Sequence, residues 1–146
     1  MIEIKFAKTD GQILRCFPVM QELRTHIATG EEFLERVKRQ QENSLYNLVY
    51  LEENNEIKSC TGFVFGEKLF SSKMMYVDDL VTAASERSKG YGEMLFDWLL
   101  DYAKMNNCDQ LHLDSGVQRY GAHRFYLKKR MDITSHHFVL NITEKK

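Results

Sequence analysis

The sequence predicts an α/β fold of the α+β, mixed-sheet kind, with helices on both faces of one sheet. Three observations predict it. Segments that alternate apolar and polar residues are interleaved with segments whose apolar residues recur at threes and fours. The middle of the chain holds three consecutive extended segments joined by short turns, which is the pattern of an antiparallel meander. The third is followed by a strong amphipathic helix and a further short strand, a β-α-β crossover that makes those two strands parallel. The predicted order is β-α-α-β-β-β-α-β-α-β, in one domain covering residues 1–146.

Each element has a local reason. Ile2-Glu3-Ile4-Lys5-Phe6 alternates as a half-buried strand does. Asp10 is placed to cap a helix from about Gly11, with Ile13, Leu14, Phe17, Met20, Leu23 and Ile27 inward. Pro18 inside that run should kink or split it. Thr29-Gly30-Glu31-Glu32 has the form of a capping box and starts a second helix with Phe33, Leu34 and Val37 on one face. Leu45 to Leu51 is aromatic and β-branched, Glu52-Glu53-Asn54-Asn55 is a turn, and Ile57 to Gly66 returns as its partner. A third strand runs from about Lys73 to Thr82. A helix from Gly90 to about Asn106 buries Met94, Leu95, Trp98, Leu99 and Tyr102. A short strand at 110–114 breaks at Ser115-Gly116, a helix covers about 118–129, and 138–142 is expected to be a closing strand.

Composition narrows the function classes. With 43% hydrophobic and 12% aromatic residues, eight glycines and one proline, the 146-residue chain is neither disordered nor of low complexity. Lysine plus arginine is 20 and aspartate plus glutamate 21, for a net charge of −1. A general nucleic-acid binder is usually basic, so no nucleic-acid partner is expected. No apolar run approaches the roughly 20 residues of a membrane span, and the N-terminus lacks the apolar core of a signal peptide, so no membrane partner is expected. Cys16, Cys60 and Cys108 are far apart and form no C-x-x-C, which suits free thiols in a reducing, cytoplasmic compartment. His136 and His137 are adjacent without a third ligand at metal spacing, so no metal is expected. From Arg119 onward seven basic residues stand against two acidic ones, a local excess suited to an anionic small molecule.

The most informative segment is Arg87-Ser88-Lys89-Gly90-Tyr91-Gly92, between a strand and the strongest helix. Amides at a helix N-terminus and the helix dipole attract a phosphate or pyrophosphate. Gly90 and Gly92 leave no Cβ in the way of an approaching anion, and Arg87 and Lys89 add positive charge. The dinucleotide fingerprint would require a third glycine where Leu95 stands, and no Walker string is present.

R-x-x-G-x-G after a strand, in this element order, resembles the Gcn5-related N-acetyltransferase (GNAT) family over essentially the whole chain. Tyr76-Val77-Asp78-Asp79-Leu80-Val81-Thr82 looks like the family's fourth strand. Ala122-His123-Arg124-Phe125-Tyr126 resembles its A-x-x-F-Y helix, and Phe138-Val139-Leu140 its last strand. The resemblance implies acetyl-CoA as co-substrate, in a gap where the fourth and fifth strands splay. Its pyrophosphate would lie on Arg87, Ser88, Lys89, Gly90, Tyr91 and Gly92. Its pantetheine arm would run along the backbone of Leu80, Val81 and Thr82, with Arg119 and Tyr126 also facing the cofactor. The acetyl group would pass directly to an amine, with no acyl-enzyme. The chain departs from the family at two places: Arg119 stands where Asn is common, and Arg130-Met131 where the pattern usually continues Gly-Phe.

Direct transfer to nitrogen requires a proton acceptor for the ammonium, a donor for the oxyanion and an acid for the departing thiolate. The Leu80 amide, or that of Val81, can serve the oxyanion if the strand bulges there. The resemblance makes Tyr126 the acid, and a phenol of ordinary pKa about 10 is protonated at neutral pH. Asp78 and Asp79 are consecutive carboxylates in an apolar strand, and alternation sends them to opposite faces unless a bulge intervenes. Asp78, sharing a face with Tyr76 and Leu80, is preferred as the group that holds the ammonium or takes its proton through water. The alternative is that one or both bind loop amides or Arg119. His123, one turn before Tyr126, is a further substrate contact or base. His26 and His112 are read as structural. The expected acceptor is a primary amine of a small molecule or peptide, with Asp78, Asp79 and Asp114 favouring a cationic one. The competing reading is a non-catalytic acyl-CoA-binding regulatory module. Folds of this kind also admit a homodimer, which no motif here specifies.

Overall fold

The computed structural model describes residues 1–143 in two compact units, Met1–Leu113 and a second beginning at Asp114. In the first, β1 (Ile2–Phe6), β2 (Asn47–Glu53), β3 (Glu56–Lys68), β4 (Ser72–Thr82) and β5 (Gln110–Leu113) form one sheet in that spatial order. The first four strands are antiparallel neighbours and β5 runs parallel to β4, as the crossover requires. Alternation along β2 separates the two faces. Leu48 and Tyr50 join the cluster under α1 (Asp10–Leu23) and α2 (Gly30–Ser44). Val49 and Leu51 join the cluster under α3 (Tyr91–Met105). The mixed sheet with helices on both faces is therefore borne out.

Helix starts follow side-chain chemistry closely. α1 is capped by Thr9, one residue before the expected Asp10: Thr9 Oγ1 accepts from Gln12 N–H and Gln12 Oε1 accepts from Thr9 N–H, each at 3.1 Å. Asp10 sits in the first turn, where its charge suits the dipole. Pro18 does not split α1, which is continuous and ends at Leu23. Thr29 caps α2 through Glu32 N–H, while the Glu32 carboxylate reaches the Ala28 amide at 3.4 Å instead of closing the box on Thr29.

In the second unit α4 spans Tyr120–Lys128. It closes with a Schellman turn: Met131 N–H donates to Tyr126 O and Arg130 N–H to Leu127 O, with Arg130 at φ 70°. That left-handed position is where the family's glycine would stand. The expected closing strand at 138–142 is not formed. Phe138 and Ile142 are 91% and 93% exposed, and no ladder among the described residues pairs with the segment. Side-chain preference for extended backbone does not make a strand without a partner.

Candidate functional site

The site begins at a break in register. Gly62 on β3 faces Asp79 on β4, but the next β3 residue, Phe63, faces Val77, so Asp78 is an extra residue on β4. The bulge puts Asp78 and Asp79 on the same side, where both line one cavity under α1 and α2. This corrects the shared face of Asp78 and Leu80: the Leu80 side chain packs on the α3 side instead.

The two carboxylates are treated very differently. Asp79 Oδ1 accepts from Arg24 Nε at 2.7 Å and Oδ2 from the Tyr46 hydroxyl at 2.6 Å. Arg24 Nη2 also donates to the Asp78 carbonyl at 2.7 Å, so one guanidinium clasps both bulge residues. Burial and the Asp79 charge push the Tyr46 phenol well above its usual range, so it stays protonated and donates to Asp79. Its ring lies across Gly62, where a Cβ would collide with it. The Asp78 carboxylate is not a partner in any of these bonds and stays open to solvent at the cavity wall. Partial desolvation and the adjacent Asp79 raise its pKa to about 6, against a downward pull from Arg24.

The cavity measures about 320 Å³. Met20, Ile27, Phe33 and Val37 make its apolar walls. His26, expected to be structural, is exposed and lines it. Arg36 and Gln40, one turn apart on α2, line it as well.

On the far side of β4, the ladder with β5 stops at Val77 and Leu113 while β4 runs on to Thr82. Ala83 N–H donates to Lys58 O on β3. By two-residue alternation the backbone of Val81 and Asp79 also faces β3, and that of Leu80 and Thr82 faces the side β5 has left. Of the two amides considered for the oxyanion, Leu80 is the one so directed.

The glycine segment joins a one-turn 3₁₀ helix, Ala84–Glu86, to α3. Ser88 at φ 68° and Gly90 at φ 88° turn its backbone, and no side chain caps the helix. Arg87, Ser88, Lys89 and Gly90 are exposed. The first amides of α3 have no intrahelical partner, which makes this start a fit for a phosphate. Gly92 has a second reason to be glycine, since a Cβ there would lie 3.0 Å from Thr82 Oγ1. Lys89 is held by Glu86 at 3.1 Å, and Glu86 also pairs with the buried Lys58. The Tyr91 ring points into the core and bonds Glu53, so only its backbone belongs to the segment.

In the second unit, Arg119 is the N-cap residue of α4. Burial pushes the Tyr126 phenol up while the Arg119 guanidinium pulls it back, so it is protonated at neutral pH. His123 Nε2 lies 2.8 Å from the Gly116 carbonyl, which can only accept, so Nε2 carries the proton. Asp114 pairs with His137 at 3.3 Å.

Arg24, Tyr46 and Gln40 are not among the candidates that the sequence offers, and Arg36, read as part of the solvated face of the second helix, lines the cavity. Arg24 falls between Leu23 and Ile27 of a periodicity that the sequence carries through to Ile27, whereas α1 ends at Leu23, and Tyr46 lies in the 45–51 segment read as a strand. The doubled Asp78-Asp79 was the one signal that pointed to them, since a buried carboxylate must find a partner.

Comparison with known proteins follows the same lines. The model of the acetyltransferase (GNAT) family matches residues 13–131. The chain is 36% identical over 129 residues to the uncharacterized N-acetyltransferase YhdJ of Bacillus subtilis, covering 88% of this chain and 90% of that one. Among solved structures, glucosamine-6-phosphate N-acetyltransferase from Arabidopsis thaliana superposes with TM-score 0.76 at 21% identity, over 98% and 99% of the two chains. An aminoglycoside N-acetyltransferase in complex with CoA gives TM-score 0.83 at 8% identity, over 97% and 94%.

Proposed function

Because the chain belongs to the GNAT family of acetyltransferases, we propose that it moves the acetyl group of acetyl-CoA directly to a primary amine of a small molecule or peptide bound in the cavity beside the β4 bulge. The observation that carries this reading is Asp78: a carboxylate with pKa about 6, open to the cavity, beside a neighbour already committed to Arg24 and Tyr46. At pH 7 it is mostly ionised, so it attracts an ammonium and takes its proton, directly or through one water.

The remaining roles divide along β4. Leu80 N–H, facing the side β5 has left, donates to the carbonyl oxygen as charge develops there. The backbone of Leu80 and Thr82 receives the pantetheine arm, and the segment from Arg87 to Gly92 receives the pyrophosphate. Lys89 then exchanges Glu86 for a phosphate. Val81 contributes only by keeping the strand in place. Tyr126, which the family resemblance makes the acid, protonates the departing thiolate, and Arg119 keeps positive charge near that phenol. His123, with Nε2 committed to Gly116, has only Nδ1 left to offer a substrate.

The test is thiol release from acetyl-CoA across an amine panel, with acetyl-CoA binding followed by calorimetry. Amine-dependent release supports the reading. Binding without turnover of any amine makes the chain an acyl-CoA-binding module instead.

A further inference from the structure

The cavity offers a ligand two opposite charges. Four charged side chains line it: Asp78 and Asp79 from β4, Arg24 from the end of α1, and Arg36 from α2. Arg24 and Asp79 neutralise one another at 2.7 Å. What a ligand meets is therefore Asp78 on the sheet side and Arg36 on the helix side, with Gln40 one turn beyond Arg36. Arg36 Nη2 also pairs with Glu32 at 2.9 Å, but a guanidinium carries five N–H donors and this pair occupies one nitrogen. Glu32 is not part of the cavity wall. Apolar Met20, Ile27, Phe33 and Val37 lie among these polar groups. A volume of about 320 Å³ suits a compact molecule at the low end of small-ligand sites.

We propose that the acceptor is a compact primary amine bearing a single anionic group, a carboxylate or a phosphate. Its ammonium lies at Asp78 and its anion at Arg36 and Gln40. This rests on the reading of the cavity as the acceptor site, and it narrows that reading. The doubled aspartate alone suggested any cation, a polyamine included. A polyamine would set its second ammonium beside Arg36, which repels it.

The test compares kcat/KM for amino carboxylates and amino-sugar phosphates with neutral counterparts matched for amine basicity, and with spermidine. The anionic amines should lead by about ten-fold or more, the worth of one hydrogen bond to a charged group. The carboxylate and phosphate arms identify which anion is used. Arg36→Gln should remove that lead, mainly through KM, and leave the pH–rate profile unchanged. Glu32→Gln breaks the same surface ion pair but keeps the guanidinium, so it should preserve the lead. Equal or better turnover of spermidine or the neutral amines overturns the proposal, as does a Glu32→Gln effect equal to that of Arg36→Gln. Either result leaves the acetyltransferase reading intact, because turnover is present. Acetyl-CoA binding without turnover of any amine overturns both.

Discussion

The two faces of the sheet are built to different ends. Under α3, Phe6, Phe63, Trp98 and Tyr102 pack ring on ring, Trp98 stacked on Tyr102 at 4.9 Å and Phe6 edge-on to Trp98 at 5.6 Å. Leu95 and Leu99 are fully buried beside them. Under α1 and α2 the cluster is interrupted by a cavity whose wall carries Asp78, Asp79, Arg24 and Tyr46. A single extra residue on β4 makes the difference, because without it alternation would send one of the two carboxylates into the aromatic side. With one face filled tightly, the other can carry polar groups and empty space.

Substitutions on the two faces should therefore fail in different ways. Asp78→Asn should lower kcat by about 10²–10⁴, the usual worth of a general base, and abolish the acidic limb near pH 6 in the pH–rate profile. The same variant should be slightly more stable than the parent at pH 7. The folded carboxyl holds its proton to higher pH than the unfolded one, so stability is lost as pH rises from about 4 to 6. Asn has no such loss, and thermal melts should converge below about pH 4. Leu99→Ala, on the other face, should cost about 2–5 kcal/mol in denaturant unfolding and leave the acidic limb where it is. A displaced limb there would mean the two faces are coupled.

Smaller effects sharpen the contrast. Arg24→Gln removes the charge that pulls Asp78 down, so the acidic limb should move to higher pH while the aromatic face keeps its near-ultraviolet circular dichroism. Tyr126→Phe tests the acid assigned by resemblance: kcat should fall with acetyl-CoA affinity unchanged, and an unaltered kcat would reject the role. Arg130→Gly, outside both faces, should stabilise α4 by about 1 kcal/mol through relief of its left-handed backbone, measured by thermal melting.

Much of this architecture was legible beforehand, for identifiable reasons. Strand alternation and helix periodicity located β1 to β5 and all four helices, because burial on one side leaves a period in the sequence. The glycine segment was legible because φ 88° at Gly90 and the close approach of Gly92 to Thr82 both favour glycine over residues with a side chain. The bulge was anticipated only as a condition. Nothing local sets its position, which depends on the Gly62–Asp79 pairing and on Arg24 arriving from another element. The missing strand at 138–142 shows the same limit, since a strand is a property of two segments and the sequence displays one at a time.

Gly62 and Tyr46 illustrate what that dependence means for change over generations. The phenol reaches Asp79 only because position 62 has no side chain, and Tyr46 keeps position 62 closed to anything larger. Gly62→Ala alone should displace the ring and orphan one oxygen of Asp79, while a smaller residue at 46 alone loses the same hydrogen bond without any clash. Once residue 46 has shrunk, however, alanine at 62 fills space instead of colliding. The two positions thus form a ratchet: each substitution is harmful first and tolerable second, so descendants of this chain should exchange the pair together or keep both.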